Sequence, residues 1–281
     1  MTWHLTELAG VFHAAAHEHL TADPARSTVL LTLSEAARRQ PVAHAQYGWW
    51  TEPDGSVTGA FLSKVAHEPT LGPMPVAAAR ALVHVLPGAA EATVVRGETE
   101  PAEAFARELS RERDRPWTTT LRLRLYRLAE LTPPDPAPRG RPRTATAEDV
   151  PRAVRWMRDF AHAIGENPDF DYTPNIEARV ADGRFHLWET EDGPVSMASV
   201  SPVVAGQARV SSVYTPAEAR GHGYAGAVTS SVTRAALDAG AQQVLLFADL
   251  ANPTSNALYQ RLGYRAVTDH VGLTFGGQRR S

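Results

Sequence analysis

The chain contains no cysteine. That excludes disulfides, a thiol nucleophile and zinc–thiolate sites, and it fits a reducing compartment. Lys64 is its single lysine, the other basic side chains being arginine. Together with the abundance of alanine, this reflects codon usage in a GC-rich genome and not a function. No segment is apolar over the roughly 18–20 residues a membrane helix needs. The opening residues, MTWHLTELAG, lack the basic-then-apolar order of a signal peptide. The net charge is only −3, which makes no electrostatic case for nucleic acid or anionic membrane. The sequence has no GxxxxGK[ST] and no GxGxxG with an acidic residue about 20 positions on, so neither common nucleotide fingerprint is matched. A cytoplasmic, soluble protein is expected.

What is present suggests two domains. The length of 281 residues fits about two. Thr132 to Arg143 reads TPPDPAPRGRPR, and its prolines exclude a regular helix or a central strand. It divides the chain into residues 1–131, a linker at 132–143, and residues 144–281. The halves share a pattern. WTEPDGSVTGA, from Trp50, and WETEDGPVSMA, from Trp188, align at a constant offset of 138 through Trp, Asp-Gly, Val and Ala. Each reads as a hairpin with Asp-Gly supplying the positive-φ turn.

Residues 210–264 carry the chemistry. Val210 to Tyr214 reads as a strand that enters the glycine-rich turn Arg220-Gly221-His222-Gly223-Tyr224-Ala225. A helical pattern follows, with Val228, Val232, Ala235 and Ala239 at offsets of 4, 7 and 11. Unpaired first-turn N–H groups and the positive end of the helix dipole suit an anion, and glycine lets the backbone approach it. Then come a strand at Val244–Ala248, a helix opened by Asn252-Pro253 with Asn256 and Tyr259, and Gly263-Tyr264. Proline suits the first helical position and glycine the residue after the end.

This stretch resembles the acetyl-CoA site of the GNAT superfamily of N-acetyltransferases. The family signature [QR]-x-x-G-x-[GA] is matched by Arg220, Gly223 and Ala225. The resemblance implies an α/β (α+β) fold of two GNAT-like domains in tandem, each a mixed, mostly antiparallel sheet flanked by helices. It also implies acetyl-CoA as co-substrate, without a metal. The amides of Arg220, Gly221, His222, Gly223, Tyr224 and Ala225 would hold the pyrophosphate. In this fold the fourth and fifth strands splay, and the main chain of Val213, Tyr214 and Thr215 would pair with pantetheine. Asn252 and Asn256 would lie near the pantetheine arm, and Tyr259 would be the general acid that protonates the thiolate. A phenol of pKa about 10 is protonated at neutral pH and can donate.

The second half reads throughout on this plan. Thr144–Thr146 is a first strand, Asp149 caps a helix with Pro151 in its first turn, and a second helix lies near Pro174–Ala181. The first half has helical patterns at Leu5–Leu20, Ser27–Arg39, Val76–Val85 and Pro101–Arg113. Strands read at Ala92–Val95 and Thr118–Leu128, the latter with leucines buried on one face and arginines solvated on the other. The chemistry is missing there. AHEPTLGPMPVAAARAL lacks the signature, Pro73 and Pro75 remove donors, and no tyrosine lies in the Pro101–Arg113 helix. The first half is read as a degenerate domain that has lost the cofactor.

No general base stands out among His162, Glu166, Glu189 and Asp249. His13 and His17 share a helix face at metal-ligand spacing, without a supporting carboxylate or cysteine pattern. The expected function is acetyl transfer from acetyl-CoA to a primary amine, by direct attack in a ternary complex. The acceptor would be a small molecule or a peptide, and a homodimer is compatible. A non-catalytic acyl-CoA sensor or interaction protein is the alternative.

Overall fold

The computed structural model describes residues 1–64 and 67–276. The chain runs β1 (Thr2–Thr6), α1 (Ala9–Ala22), α2 (Thr28–Arg39), β2 (Gln46–Thr51), β3 (Val57–Ser63), β4 (Thr70–Leu71), α3 (Val76–Val85), β5 (Val94–Glu98), α4 (Thr99–Arg113) and β6 (Trp117–Leu128). It continues β7 (Arg141–Thr144), α5 (Val150–Ala163), α6 (Thr173–Ala181), β8 (Phe185–Thr190), β9 (Gly193–Val200), β10 (Gln207–Tyr214), α7 (Tyr224–Asp238), β11 (Gln243–Asp249), α8 (Pro253–Arg261) and β12 (Tyr264–Phe275). The order β-α-α-β-β-β-α-β-α-β therefore occurs twice. The chain is an α/β protein built as a tandem repeat.

The two hairpins carry the repeat in detail. Gly55 and Gly193 take φ of +87° and +105°, as the Asp-Gly turns require. The β2–β3 register shifts at Trp50/Thr51 and the β8–β9 register at Trp188/Glu189, each directly after the matching tryptophan. Both indoles are buried.

By contacts the chain forms two compact units. One comprises Met1–Leu125, Ala248–Asn252 and the residues from Ala266 on. The other comprises Tyr126–Phe247 and Pro253–Arg265. The linker expected at 132–143 thus falls inside the second unit. In the first unit the strand order is β1-β2-β3-β4-β5-β12-β6. Most of β12 is built into this unit, antiparallel to β5, with Val271 opposite Gly97 and Leu273 opposite Val95. Val271, Leu273 and Phe275 join Phe61, Leu82 and Phe105 in its core.

Two strands of the first unit went unread in the sequence. β4 has two residues, too few for periodicity to register. In β1, Leu5 continues the apolar spacing of the following helix, but it lies half exposed on a strand. Trp3 decides that strand, because its buried indole donates to the Ala78 carbonyl at 2.9 Å and packs 5.6 Å from Trp50.

In the second unit the order is β11-β10-β9-β8-β7. Its core under α5 and α6 includes Trp156, Ile176, Phe185, Leu187 and Met197. The first strand lies at Arg141–Thr144, three residues earlier than the sequence suggests. Pro142 is tolerated there because β7 is an edge strand, paired only with β8. Asp149 precedes α5 but makes no side-chain cap to it; it is instead the last member of a capping box opened by Thr146, whose N–H it accepts at 2.8 Å. Gly263 closes α8 at φ +97°, and a Cβ there would lie 1.7 Å from the Glu130 carbonyl oxygen.

Asp149 also receives both Nη atoms of Arg143, at 2.6 and 2.9 Å, while Arg143 Nε reaches Glu189 at 2.9 Å. These bonds hold the Asp149 carboxyl down at about 2 against an ordinary 3.8. A depressed carboxyl stabilises the fold above its unfolded pKa and stops doing so as pH falls from about 4 through about 2. Asp149→Asn is expected to cost about 2 kcal/mol at pH 7 and almost nothing near pH 2. Urea unfolding at the two pH values measures this, and an equal loss at both would refute the electrostatic origin.

Candidate active site

The site is built on the end of β10. Strands β10 and β11 pair in parallel from Gln207/Gln243 only as far as Val210/Leu246. Beyond that point β10 runs on unpaired with β11 to Tyr214. The same stretch loses register with β9. Ser211 opposes Ser199 but Tyr214 opposes Met197, so one extra residue is accommodated. Ser212 takes that place with φ +53°, an uncommon conformation for a residue with a Cβ. The bulge turns the Ser212–Val213 backbone out of the ladder.

Side chains then fix the strand end. Ser196 Oγ donates to the Tyr214 carbonyl at 3.0 Å and bonds Thr215 Oγ1 at 2.8 Å. Arg220 Nε donates to the Thr215 carbonyl at 3.0 Å, so the first signature residue braces the turn from β10 into the loop. The Tyr214 ring lies 6.4 Å from both Trp156 and Phe160 of α5.

The loop itself is exposed from Arg220 through Gly223. Gly221 and Gly223 adopt φ of +82° and +80°, which glycine takes without strain. Gly223 is the residue before α7, and no side chain caps the helix's first-turn amides. Those amides are available to an anion. His222 stacks on Tyr224 at 5.6 Å with 16° between the rings.

Two residues, one beside this loop and one beside α8, were not read from the sequence. Arg139 donates through Nε to Tyr224 Oη at 3.1 Å, and its carbonyl accepts the Trp188 indole at 2.9 Å. Pro138 lies against Gly223, and Pro134 against Gly226. The proline-rich segment thus follows the start of α7, and its interleaved arginines were the available signal. The second is Tyr126, fully buried although it sits on the arginine face of β6. Its hydroxyl donates to Asn256 Oδ1 at 2.8 Å and accepts from Gln260 at 3.3 Å.

Helix α8 comes against α7 where a Cβ on Gly226 would lie 3.1 Å from Leu258. Tyr259 is buried on α8, and burial pushes its phenol up to about 12. Its ring meets Tyr264 edge-on at 6.3 Å, and the Tyr264 hydroxyl is bonded to Thr233 at 2.6 Å. The Tyr259 hydroxyl makes no hydrogen bond among the described residues. Asn252 precedes Pro253, the first residue of α8, with its N–H on the Asp249 carbonyl at 3.0 Å. It is counted with the first unit.

The base candidates scatter. Glu189 is paired with Arg143, Asp249 accepts the Ala251 N–H at 2.8 Å, and His162 and Glu166 lie exposed at the end of α5. Among the described residues no group of three His, Cys, Asp or Glu could hold a metal ion, and no helix is long and apolar enough to cross a membrane.

Strand parting, bulge, glycine loop and uncapped helix all lie within a stretch that matches the acetyltransferase (GNAT) family over residues 150–264. Those residues are a GNAT domain. The whole chain shares its fold with solved structures. A GCN5-related N-acetyltransferase from Sphaerobacter thermophilus is 18% identical, with 96% of this chain and 94% of that one covered and a TM-score of 0.63. A Drosophila protein is 11% identical over 98% of both chains, with a TM-score of 0.68. A tandem GNAT protein from the clavulanic acid biosynthesis pathway is 13% identical over 100% of both chains, with a TM-score of 0.55. No match was found among proteins of curated function.

GNAT enzymes are acyltransferases that generally use acetyl-CoA. The first repeat of this chain has no counterpart of the loop. Its β4 is followed by Gly72-Pro73-Met74, all buried, and a Cβ on Gly72 would lie 2.7 Å from Leu30. Proline occupies the position before α3, where the GNAT domain has Gly223 before α7.

Proposed function

We propose that the chain transfers the acetyl group of acetyl-CoA to a primary amine by direct attack in a ternary complex, using the GNAT domain alone. The observation that carries this is the parting of β10 from β11 after Val210, directly ahead of an exposed glycine loop and an uncapped helix. The residues fit a CoA molecule. Amides of Gly221 to Ala225 would take the pyrophosphate. The main chain of Val213 to Thr215, which β11 does not pair, would pair with pantetheine amides as an added strand would, with Asn256 near that arm. Asn256 would contribute from a fixed position, since Tyr126 already holds its carbonyl oxygen.

The thioester supplies an activated acyl group with a good leaving group. The neutral amine nitrogen forms a bond to the acetyl carbon as the carbon–sulfur bond breaks. A backbone N–H at the bulge would steady charge on the carbonyl oxygen. Tyr259 would give its proton to the departing sulfur. With no carboxylate on β10, the ammonium proton would leave through water.

Titration of the full chain with CoA, followed by thiol release from acetyl-CoA with a panel of amines, tests this. One CoA per chain and amine-dependent release are expected. Two equal sites would refute confinement to the GNAT domain, and binding without turnover of any amine would make the chain a sensor.

A further inference from the structure

On the face of the sheet covered by α5 and α6, the GNAT domain gathers arginine and serine beside the bulge. Arg179 of α6 donates from Nη1 to Ser199 Oγ at 2.9 Å and to Ser212 Oγ at 3.3 Å. Ser212 is the bulged residue itself, so this guanidinium stands where β10 leaves β11. Ser199 Oγ is shared with Ser211 Oγ at 3.1 Å. The Arg179 charge acts on Arg209 of β10, whose guanidinium carbon lies 6.0 Å from the Phe247 ring centre.

These contacts are unusual for a cation withdrawn from water. Serine hydroxyls bring no counter-charge. Arg179 has no carboxylate partner among the described residues, and its neighbour Arg184 is already met by Asp182 at 2.5 Å. A guanidinium has five donors in a flat fork, and among the described residues the Nε–Nη2 edge of Arg179 makes no hydrogen bond. Burial and the neighbouring positive charge push Arg179 below its ordinary value, and Arg209 down to about 10. The free edge of a half-buried arginine matches the oxygens of a carboxylate or phosphate.

We propose that the acceptor is a small amine that also carries an oxyanion, and that Arg179 receives that oxyanion while the amine faces the end of β10. This rests on the acetyltransferase reading above. The aromatic wall of Trp156, Phe160 and Tyr214 flanks the same strand end and would pack against the acceptor's carbon skeleton.

The test compares matched acceptors in thiol release from acetyl-CoA. Each α-amino acid is set against its amide, and β-alanine and phosphoethanolamine against ethanolamine. Amino acid amides have the less basic amines, so unassisted reactivity favours them, and a preference for the acid marks recognition. At least one acid or phosphate is expected to exceed its neutral partner in kcat/KM by about 10-fold or more, and the better arm separates carboxylate from phosphate. For that acceptor, Arg179→Gln is expected to lower kcat/KM by about 10²-fold, mainly through KM, with less than about threefold change for the neutral partner. Arg179→Lys should restore part of the preference. CoA titration of each variant reports on folding and on the cofactor site. CoA binding and amine turnover with no anionic acceptor preferred overturns the proposal and leaves the acetyltransferase reading standing, as does an equal loss on both partners in Arg179→Gln. Absence of CoA binding in the unaltered chain overturns both.

Discussion

Replacing Gly223 with valine is expected to weaken CoA binding by about 10²-fold or more. The residue sits at φ +80° immediately before α7. A β-branched side chain in that conformation is a strong outlier, with a backbone cost on the order of 1–2 kcal/mol. Packing within the protein does not forbid it, because a Cβ there would meet only Pro138, at 3.8 Å. The larger loss therefore arises where the side chain stands between the backbone and the pyrophosphate. Gly240 separates the two effects. It has φ +91°, a Cβ there would meet nothing within 4 Å, and it follows the far end of the same helix. Gly240→Val should lose comparable stability and keep CoA affinity. Calorimetric titration and urea unfolding of both variants measure this, and unchanged affinity in Gly223→Val would remove the loop from the cofactor site.

Tyr259→Phe is expected to lower kcat by about 10²-fold, within the usual range for a general acid. Of Tyr126, Tyr259 and Tyr264, the first and last spend their hydroxyls on Asn256 and Thr233, whereas Tyr259 has no such bond among the described residues. Burial lifts its phenol to about 12, so it stays protonated and able to donate across the neutral range. The alkaline limb of a pH–rate profile should therefore not report its ionisation below about pH 11. CoA affinity and stability should change little, because the ring keeps its contact with Tyr264. The fall should be the same for every acceptor, since the proton goes to sulfur and not to the amine. A variant with near-normal kcat would return Tyr259 to a packing role and leave water as the acid.

Much of this was legible because it is local chemistry. Gly263 takes the positive φ that its place after a helix implies. Helix α3 runs Val76–Val85 as its spacing indicates, and the Trp50 and Trp188 hairpins carry matching register shifts. The proline that the sequence places ahead of Val76 stands directly before α3, where a phosphate loop would need donors. Other features were hidden for identifiable reasons. Tyr126 interrupts a face of β6 that alternation marks as solvated. Arg139 lies in a segment whose prolines say only that it is irregular. Strand β12 follows Gly263 without a turn signal to show where it pairs.

The sequence by itself determined the order of elements, the two hairpins, the glycine loop and the helix it opens. Each depends on the dihedral and hydrogen-bonding limits of residues within a few positions of one another. Only the tertiary structure decided that β12 pairs with β5, that β10 leaves β11 after Val210 through a bulge at Ser212, and that Arg179 reaches that bulge. These join residues far apart along the chain, and a strand's own pattern marks which face is buried without naming the strand it will pair with.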